Sequence, residues 1–242
     1  MRKHLVIPDC QVKPGVPIKH LEWVGRYIAE KKPNVVVQIG DFADMESLSS
    51  YDTGKKCFEG RRYRKDIDAT KRALDVLQRG MGRFTPEKQI LTLGNHEDRI
   101  TRAIEADPKL EGTISLKDLQ YEKFGFQVVP YLKPIKVDGV YYCHYFTSGP
   151  LERPCTSAAS ILSKHHSSCI AGHRQGRDIA YGKRADGKPI TAIIAGSFYL
   201  HNEAYLRNNH YWRGIYMLHE VKDGCFDEMA VSIDYLKRKY DR

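Results

Sequence analysis

The sequence has no long apolar segment and no paired cysteines. Its amino-terminal apolar run is limited to Leu5, Val6 and Ile7, far short of the roughly 7–15 residues of a signal-peptide core or the roughly 20 that cross a bilayer. The six cysteines are scattered singly, without a C-x-x-C pair or zinc-finger spacing, as is typical of reduced thiols in a cytosolic protein. We therefore predict a cytoplasmic protein with no membrane partner and no disulfide framework.

Internal repeats, low-complexity segments and a linker rich in Pro, Gly or Ser are also missing. Because no composition shift marks a boundary, residues 1–242 are predicted to form a single domain. Apolar residues make up 41% of the sequence, which is enough for a hydrophobic core.

Acidic residues are too few to balance the basic ones. The formal net charge is +9 and the sequence pI is about 9.2. Such a surplus favours polyanionic partners, namely nucleic acid or phosphorylated substrates. The alternative is a solvated surface that simply carries more basic than acidic residues.

The first half of the chain alternates between two hydrophobic patterns. Short runs rich in β-branched residues predict buried strands, and segments with a helical apolar period predict helices between them. This alternation indicates a parallel sheet covered by helices. The predicted strands are 4–8, 34–41 and 88–98, and the predicted helices are 18–32, 64–80 and 98–106.

The second half consists mainly of short strand patterns separated by Gly and polar turns. Only residues 156–166 have a helical pattern. We therefore predict two packed sheets, with an α/β first half and a β-rich second half. The predicted strand segments are 125–130, 135–146, 167–173, 177–183, 190–200 and 214–221.

Polar side chains follow directly after five of the apolar strands. A single Gly-Asp or Gly-His pair is more often a turn than a ligand site. Sites in open α/β sheets form outside the carboxyl ends of the strands, so five clusters are expected to converge if the strands are neighbours. The clusters are Asp9 with Gln11; Gly40, Asp41 and Asp44; Gly94, Asn95, His96 and Glu97; His144; and Gly172, His173, Arg174 and Gln175.

These residue types share one chemistry. Asp, Asn, His and Gln are ligands for divalent metals of intermediate hardness. A carboxylate between two sites can bridge ions about 3.5–4 Å apart, an arrangement used for phosphoester hydrolysis. The clusters therefore indicate a metal site.

The order of these motifs resembles that of the calcineurin-like metallophosphoesterases. The family pattern D-x-H, G-D-x-x-D, G-N-H-[D/E], H and G-H-x-H stands here as DCQ, GDFAD, GNHE, CHYF and GHRQ, within residues 9–175. The tail at 202–224 is also similar to that of small phage-encoded members, which implies a bacterial or phage-infected cytosol. The resemblance implies a four-layer α/β/β/α sandwich of two packed mixed sheets flanked by helices, in agreement with the two predicted sheets.

The resemblance also implies two divalent ions bridged by Asp41. The first ion would be held by Asp9 with Gln11 and Gln175, and the second by Asn95, His144 and His173. The nucleophile would be a hydroxide between the ions, whose pKa the metals lower.

Further roles follow from the same resemblance. His96 would be the general acid near the leaving-group oxygen, and Glu97 would orient it. Asp44 is either part of the site or a helix cap. Arg99, Arg174 and His201 are candidate phosphate contacts, with surface charge or an internal polar contact as the alternative for each.

Two positions depart from the family pattern. Glutamines stand at 11 and 175, where the family has histidines, and both fall on the first ion. If the amide oxygens coordinate, this site becomes all oxygen, which favours Mn²⁺, or Mg²⁺, over Zn²⁺ or Fe. We predict Mn²⁺, with a first site that is weak or empty; the alternative is a mononuclear enzyme whose glutamines only hydrogen-bond water.

The favoured substrate is nucleic acid. Residues 55–65, KKCFEGRRYRK, combine six basic residues with two aromatic ones, a composition that suits a nucleic-acid backbone and base stacking. We predict a metal-dependent phosphodiesterase or nuclease. The alternatives are a phosphatase for nucleotides or small phosphomonoesters, and a non-catalytic binding module that keeps the phosphoesterase fold.

Overall fold

The computed structural model describes residues 2–203 and 212–241. Strands form where apolar and β-branched residues predominate, because these side chains pack well on a pleated, buried surface. The strands are β1 (Arg2–Ile7), β2 (Val35–Gln38), β3 (Lys88–Thr92), β4 (Gln127–Val129), β5 (Ile135–Val137), β6 (Val140–Tyr142), β7 (Thr147–Ser148), β8 (Arg153–Pro154), β9 (Cys169–Ala171), β10 (Arg177–Lys183), β11 (Pro189–Ala195), β12 (Gly214–Lys222) and β13 (Cys225–Ser232).

Amphipathic segments between the strands form helices that bury one face. Short 3-10 turns, such as Lys56–Phe58, occupy several of the connections. The α-helices of the described residues are α1 (Lys19–Lys31), α2 (Tyr63–Met81), α3 (Arg99–Ala106), α4 (Ala158–His165) and α5 (Ile233–Tyr240).

Most of the strands belong to two mixed sheets. The first has the order β13-β12-β1-β2-β3-β4, in which β1 to β4 are parallel and β12 runs antiparallel to both of its neighbours. The second has the order β10-β11-β9-β6-β5, with three parallel strands at its centre and an antiparallel strand at each edge. Parallel strands end on the same side of a sheet, so each sheet presents several carboxyl ends together.

Three hydrophobic clusters define four layers. Side chains of both sheets, such as Val37 and Ile193, meet between the sheets. The other face of the first sheet packs against α1, α2 and α5 through residues such as Leu5 and Leu74. The other face of the second sheet packs against α4, where Ile161 is buried. This α/β/β/α sandwich confirms the predicted fold class.

The structure contains elements that the hydrophobic pattern did not predict. Strand β13 lies at the edge of the first sheet, and its half-exposed residues include two adjacent acidic ones, so its apolar alternation is weak. Helix α5 is short, and its start is marked by Ser232, whose hydroxyl accepts the Tyr235 N–H, as N-cap residues do. The strands β7 and β8 form a separate hairpin.

Several predicted boundaries also change. The strand predicted over 88–98 ends at Thr92, because the Gly-Asn-His-Glu segment turns away from the sheet. The tail motif at 202–224 includes 204–211, which lie outside the described residues, so the similarity to phage-encoded members stays a prediction. Within 2–203 and 212–241, no helix combines the length and hydrophobicity needed to cross a membrane.

Helices α1 and α2 cross at a pair of glycines, which generates a stability prediction. A Cβ atom at Gly25 would lie 2.5 Å from the Leu77 carbonyl oxygen and 2.8 Å from the Gly80 Cα. Alanine is favoured over glycine in helices by about 1 kcal/mol. We nevertheless expect Gly25→Ala to lower the free energy of unfolding by about 1–3 kcal/mol, because the two helices must move apart.

Urea unfolding measures this effect. The control is Arg72→Ala on the exposed face of α2, for which we expect a change within about 0.5 kcal/mol. A Gly25→Ala variant as stable as the unmodified chain would contradict the close helix contact.

Candidate active site

The carboxyl ends of five strands bring the predicted ligands together. The two sheets are joined at this edge, since the Phe198 N–H donates to the Asp9 carbonyl oxygen at 2.8 Å. Side chains from both sheets therefore meet in one cluster. Asp9, Asp41 and Asn95 follow β1, β2 and β3, and His144 and His173 follow β6 and β9.

Four side chains converge where the second ion is predicted. Asn95 Oδ1 lies 2.9 Å from His144 Nε2 and 2.8 Å from His173 Nδ1. Asp41 Oδ2 lies 3.3 Å from the same His144 Nε2, and one ligand atom each of Asp41, His144 and His173 lie within 4.8 Å of one another. An amide oxygen, a carboxylate and two imidazoles form a donor set suited to a divalent transition metal.

The His144 imidazole is fixed from behind. Its Nδ1–H donates to the Ile39 carbonyl oxygen at 2.8 Å, so Nε2 faces the cluster, as in most metal-binding histidines. Burial lowers the pKa of His144, but the negative charge of Asp41 outweighs it and raises this pKa to about 9. An ion must therefore displace the Nε2 proton at neutral pH. Burial, with the neighbouring His144 charge, lowers the pKa of His173 to about 4, which keeps that imidazole neutral.

The predicted first ion site is built around Asp9. Its Oδ1 accepts the His173 N–H at 3.0 Å, and its buried Oδ2 has no hydrogen-bond partner among the described residues. Burial raises the pKa of Asp9 to about 7, although the His144 charge opposes the shift. A buried carboxylate oxygen without a partner is costly, and a cation at this position would remove that cost.

The two glutamines of the first site are both buried. The Tyr199 hydroxyl donates to Gln175 Oε1 at 2.7 Å, which occupies one of the two lone pairs of that oxygen. If the amide oxygens coordinated together with Asp9 and Asp41, the set would contain oxygen ligands only, the type that suits Mn²⁺ or Mg²⁺.

The backbone is strained at four of the candidate ligands. The φ angle is 43° at Gln11, 51° at Asp41, 66° at His173 and 55° at Gln175. Only a few per cent of non-glycine residues adopt such values, and each costs on the order of 1–3 kcal/mol. Strain of this kind clusters at functional sites. The four strained residues are also among the ligands that the motif resemblance implies.

Glu97 lies beneath the ligands rather than beside His96. Its Oε2 accepts the N–H groups of Asp41 at 3.0 Å and Gly94 at 2.8 Å. Its Oε1 accepts the Ala43 N–H at 2.9 Å and the Tyr121 hydroxyl at 3.0 Å. The predicted orienting role of Glu97 toward His96 is therefore wrong, since four other donors occupy both carboxylate oxygens.

Asp44 is the carboxylate that contacts the His96 ring. His96 Nδ1 lies 2.7 Å from Asp44 Oδ1, and Arg99 Nη1 donates to the same oxygen at 3.1 Å and to the Asp44 carbonyl at 2.8 Å. The helix-cap alternative for Asp44 does not hold, because the nearest 3-10 turn begins after Met45 without a side-chain cap. Arg99, predicted as a phosphate contact, lies at the site and positions Asp44.

A chain of ion pairs extends from Asp44 to His201. Lys13 Nζ lies 2.9 Å from Asp44 Oδ2 and 2.6 Å from Glu203 Oε1. Glu203 Oε1 also lies 2.6 Å from His201 Nε2. No local pattern in the sequence indicates Glu203, whereas Lys13 lies two residues beyond Gln11 and so directly follows a predicted strand-end cluster.

A recess of about 320 Å³ opens beside Asn95 and His173. Tyr145 packs on His173 with ring centroids 4.8 Å apart, and the Tyr131 and Tyr145 hydroxyls are 2.7 Å apart. Arg174, predicted as a phosphate contact, is exposed and does not line this recess. The remaining lining residues are Tyr51, Asp98, Arg99 and Arg102.

Comparisons with known proteins find remote similarity only. No protein-family profile matches the chain, and no curated protein does. Among solved structures, a dimetal phosphatase from Danio rerio is 11% identical with a TM-score of 0.45, covering 96% of this chain and 99% of its own. Vps29 from Chaetomium thermophilum is 9% identical with a TM-score of 0.41, at 96% and 99% coverage. A predicted phosphoesterase from Streptococcus pneumoniae is 12% identical with a TM-score of 0.37, again at 96% and 99% coverage. Similarity this remote does not bear on the reaction of this chain.

The contacts of Glu97 generate a second prediction. In Glu97→Gln, an amide NH₂ replaces one carboxylate oxygen and faces N–H or O–H donors in either orientation of the amide. We expect the free energy of unfolding to fall by about 2–4 kcal/mol, because buried donors lose their acceptor.

Urea unfolding at neutral pH gives the measurement. Tyr121→Phe, which removes only one of the four donors, is the matched control, with an expected loss of about 1 kcal/mol. If Glu97→Gln costs no more than Tyr121→Phe, Glu97 does not hold the strand ends in this way.

Proposed function

We propose that this chain is a metal-dependent phosphoester hydrolase. The observation that carries the proposal is the convergence of Asp41, Asn95, His144 and His173 beside His96. These donors come from two sheets and meet within hydrogen-bond distances, while a carboxylate holds His96. The resemblance of the strand-end motifs to calcineurin-like metallophosphoesterases supports the same reaction class.

The cluster would hold two divalent ions. Asn95, His144 and His173 would bind one, Asp9 with the two glutamines would bind the other, and Asp41 would be shared. Bound ions would supply Lewis acidity toward the phosphoryl oxygens and a nucleophile at neutral pH. The oxygen-rich first set favours Mn²⁺, and the unpartnered Asp9 Oδ2 supports a cation there rather than glutamines that only bind water.

His96 would act as the general acid. Its Nδ1 contacts Asp44, which leaves Nε2, 3.7 Å from Asp41 Oδ2, for the reacting group. Arg99 Nη2 lies 3.4 Å from Nε2 and, because guanidinium only donates, contacts the unprotonated form of this nitrogen. Burial lowers the pKa of His96, but the charges of Asp41 and Asp44 outweigh burial and raise it. The protonated imidazole can then give its Nε2 proton to the leaving-group oxygen.

The recess beside Asn95 and His173 supports a nucleic-acid phosphodiester as substrate. Three tyrosines line it, Tyr51, Tyr131 and Tyr145, and the exposed Tyr51 offers an aromatic ring on which a base can stack. Arg99 and Arg102 also line the recess, and guanidinium groups suit phosphate, although each is paired with a carboxylate, Asp44 and Asp98 respectively. A small phosphomonoester would need the arginines but not the tyrosines, so the recess favours a nuclease over the phosphatase alternative.

The basic segment 55–65 contributes less free charge than its composition indicates. Arg61 pairs with Glu46 and Asp52, and Lys55 pairs with Asp52. Tyr51, in the turn before this segment, has 79% of its surface exposed and lines the recess. We therefore place the substrate contact at the recess rather than along the whole basic segment.

Removal of His96 tests the catalytic proposal against the binding-module alternative. With Mn²⁺, we expect turnover of bis-p-nitrophenyl phosphate to exceed that of p-nitrophenyl phosphate, and His96→Ala to lower kcat by about 10²–10⁴-fold, the usual contribution of a general acid. Chelation by EDTA should abolish turnover, and added Mn²⁺ should restore it.

The matched control is His219→Ala, a histidine on β12 that is not part of the cluster; its turnover should be unchanged. Turnover that survives EDTA, or that is equal in His96→Ala and the unmodified chain, would refute the mechanism. No turnover of either ester would favour the binding module.

Tyr51→Ala tests the substrate class. Stacking on an aromatic side chain contributes about 1–3 kcal/mol per base, so we expect kcat/KM for a single-stranded oligonucleotide to fall about tenfold or more. Turnover of p-nitrophenyl phosphate should be unchanged, because this ester carries no base.

Tyr181→Ala, which removes an exposed tyrosine of β10, serves as the control and should affect neither substrate. Equal losses on the oligonucleotide and on p-nitrophenyl phosphate would argue against base stacking at Tyr51.

A further inference from the structure

A larger recess lies at the opposite end of the second sheet from the candidate ligands. Its volume is about 930 Å³, and its walls are the turns before β6, before β9, between β10 and β11, and between β12 and β13. Ser168, which lines it, precedes β9, whereas His173 follows β9. At about 3.3 Å per residue, the two are roughly 16 Å apart along the strand, so this recess is separate from the active site.

Basic side chains from separate turns line this distal recess. Lys136 comes from β5, while Lys183, Arg184 and Lys188 come from the β10–β11 hairpin. Among the described residues, no carboxylate lies within ion-pair distance of the three lysines, and only Arg184 is paired, with Asp186 at 3.2 Å. The lysine charges are therefore available to a ligand.

Two carboxylates of the same lining offset part of this charge. Asp138 is already engaged by Arg2 Nε at 2.7 Å and by His4 Nε2 at 2.8 Å. Asp223 is the other lining carboxylate. The lining also contains His166 and Ser167, whose side chains can donate to phosphate oxygens, whereas His165 Nε2 lies 3.1 Å from the Thr147 carbonyl oxygen and Ser168 Oγ accepts the Thr191 N–H.

We propose that this distal recess is a second binding site, which takes the phosphate groups of a nucleotide or of a nucleic-acid strand. Three lysines that have no ion-pair partner among residues 2–203 and 212–241 line one concave surface, an arrangement that suits a ligand with more than one negative charge. Lys136 Nζ also lies 5.3 Å from the centroid of the Tyr141 ring, a contact that does not neutralise its charge. Lysines of the β10–β11 hairpin could serve only to keep the exposed edge strand β10 from pairing with other chains. That role would not require them to share a recess with Lys136, which lies on β5 at the opposite edge of the sheet. The site uses none of the candidate metal ligands, so it does not depend on the proposed hydrolysis.

The test neutralises the three lysines together. We measure fluorescence anisotropy of a labelled single-stranded oligonucleotide with a phosphorothioate backbone, in the presence of Mn²⁺. Lys136→Ala/Lys183→Ala/Lys188→Ala is expected to weaken Kd at least tenfold near 0.1 M salt. The slope of log K against log[salt] should decrease by about 2, since each neutralised phosphate of a single strand contributes about 0.7.

The matched control replaces three exposed lysines of the segment between α3 and β4: Lys109→Ala/Lys117→Ala/Lys123→Ala. This variant makes the same change in net charge and is expected to bind within about twofold of the unmodified chain. Equal weakening by both triple variants, or by neither, would overturn the proposal.

Competition by a mononucleotide and by inorganic phosphate identifies the source of the phosphate. If the mononucleotide displaces the labelled oligonucleotide from the unmodified chain but not from the Lys136/Lys183/Lys188 variant, the distal recess binds nucleotides. If only oligonucleotides displace the label, the recess binds a nucleic-acid strand. Turnover of bis-p-nitrophenyl phosphate should be unaffected by the triple variant. A chain that lacks turnover but shows lysine-dependent binding would refute the proposed hydrolysis and leave the distal site intact.

Discussion

The buried carboxylate of Glu97 joins the two strand ends on which the candidate site depends. Its two oxygens accept four hydrogen bonds, three of them from the backbone at Asp41, Ala43 and Gly94. These bonds hold Asp41 in its left-handed conformation and place the Gly94 backbone against it. A Cβ atom at Gly94 would lie 2.1 Å from Asp41 Oδ1, which leaves room only for glycine. The position of Asp41, the proposed shared ligand, is thus set by a carboxylate that is not itself one of the candidate ligands.

The balance of buried charge above Glu97 explains the perturbed ionisation of the cluster. Asp9 and Asp41 are both buried, and the His144 imidazole is the nearest compensating group for both. Burial opposes ionisation of Asp41, but the His144 and His96 charges outweigh it, so the pKa of Asp41 is lowered, whereas the pKa of Asp9 is raised. These imidazoles leave the charge of the two buried carboxylates only partly compensated, and the proposed divalent cations would supply the remaining positive charge.

Local patterns in the sequence were sufficient to predict the two sheets and the polar strand ends, whereas the four layers and the ligand set were implied by the motif resemblance. Strand ends followed by polar residues are short-range features, so Asp41 and His144 could be assigned before any contact was known. The role of Glu97 could not be assigned in this way, because packing between separate strands determines the donors that surround a buried carboxylate. The Lys13–Glu203 pair and the tyrosine recess were missed for the same reason: their members are far apart in the chain. Edge strand β13 was missed because half-exposed residues blur its alternation.

The order of strands in the first sheet has a consequence for synthesis of the chain. Strand β1 is made first, yet its antiparallel partner β12 comes near the end, with Leu5 opposite Met217. At about 5–20 residues per second, roughly 10–40 s separate the two on the ribosome. One edge of β1 lacks its strand partner during this interval, and such edges promote pairing with other chains. Asp9 and Asp41 likewise emerge well before His144 and His173, so the nascent chain contains all of the candidate ligands only after β6 and β9 of the second sheet have been made.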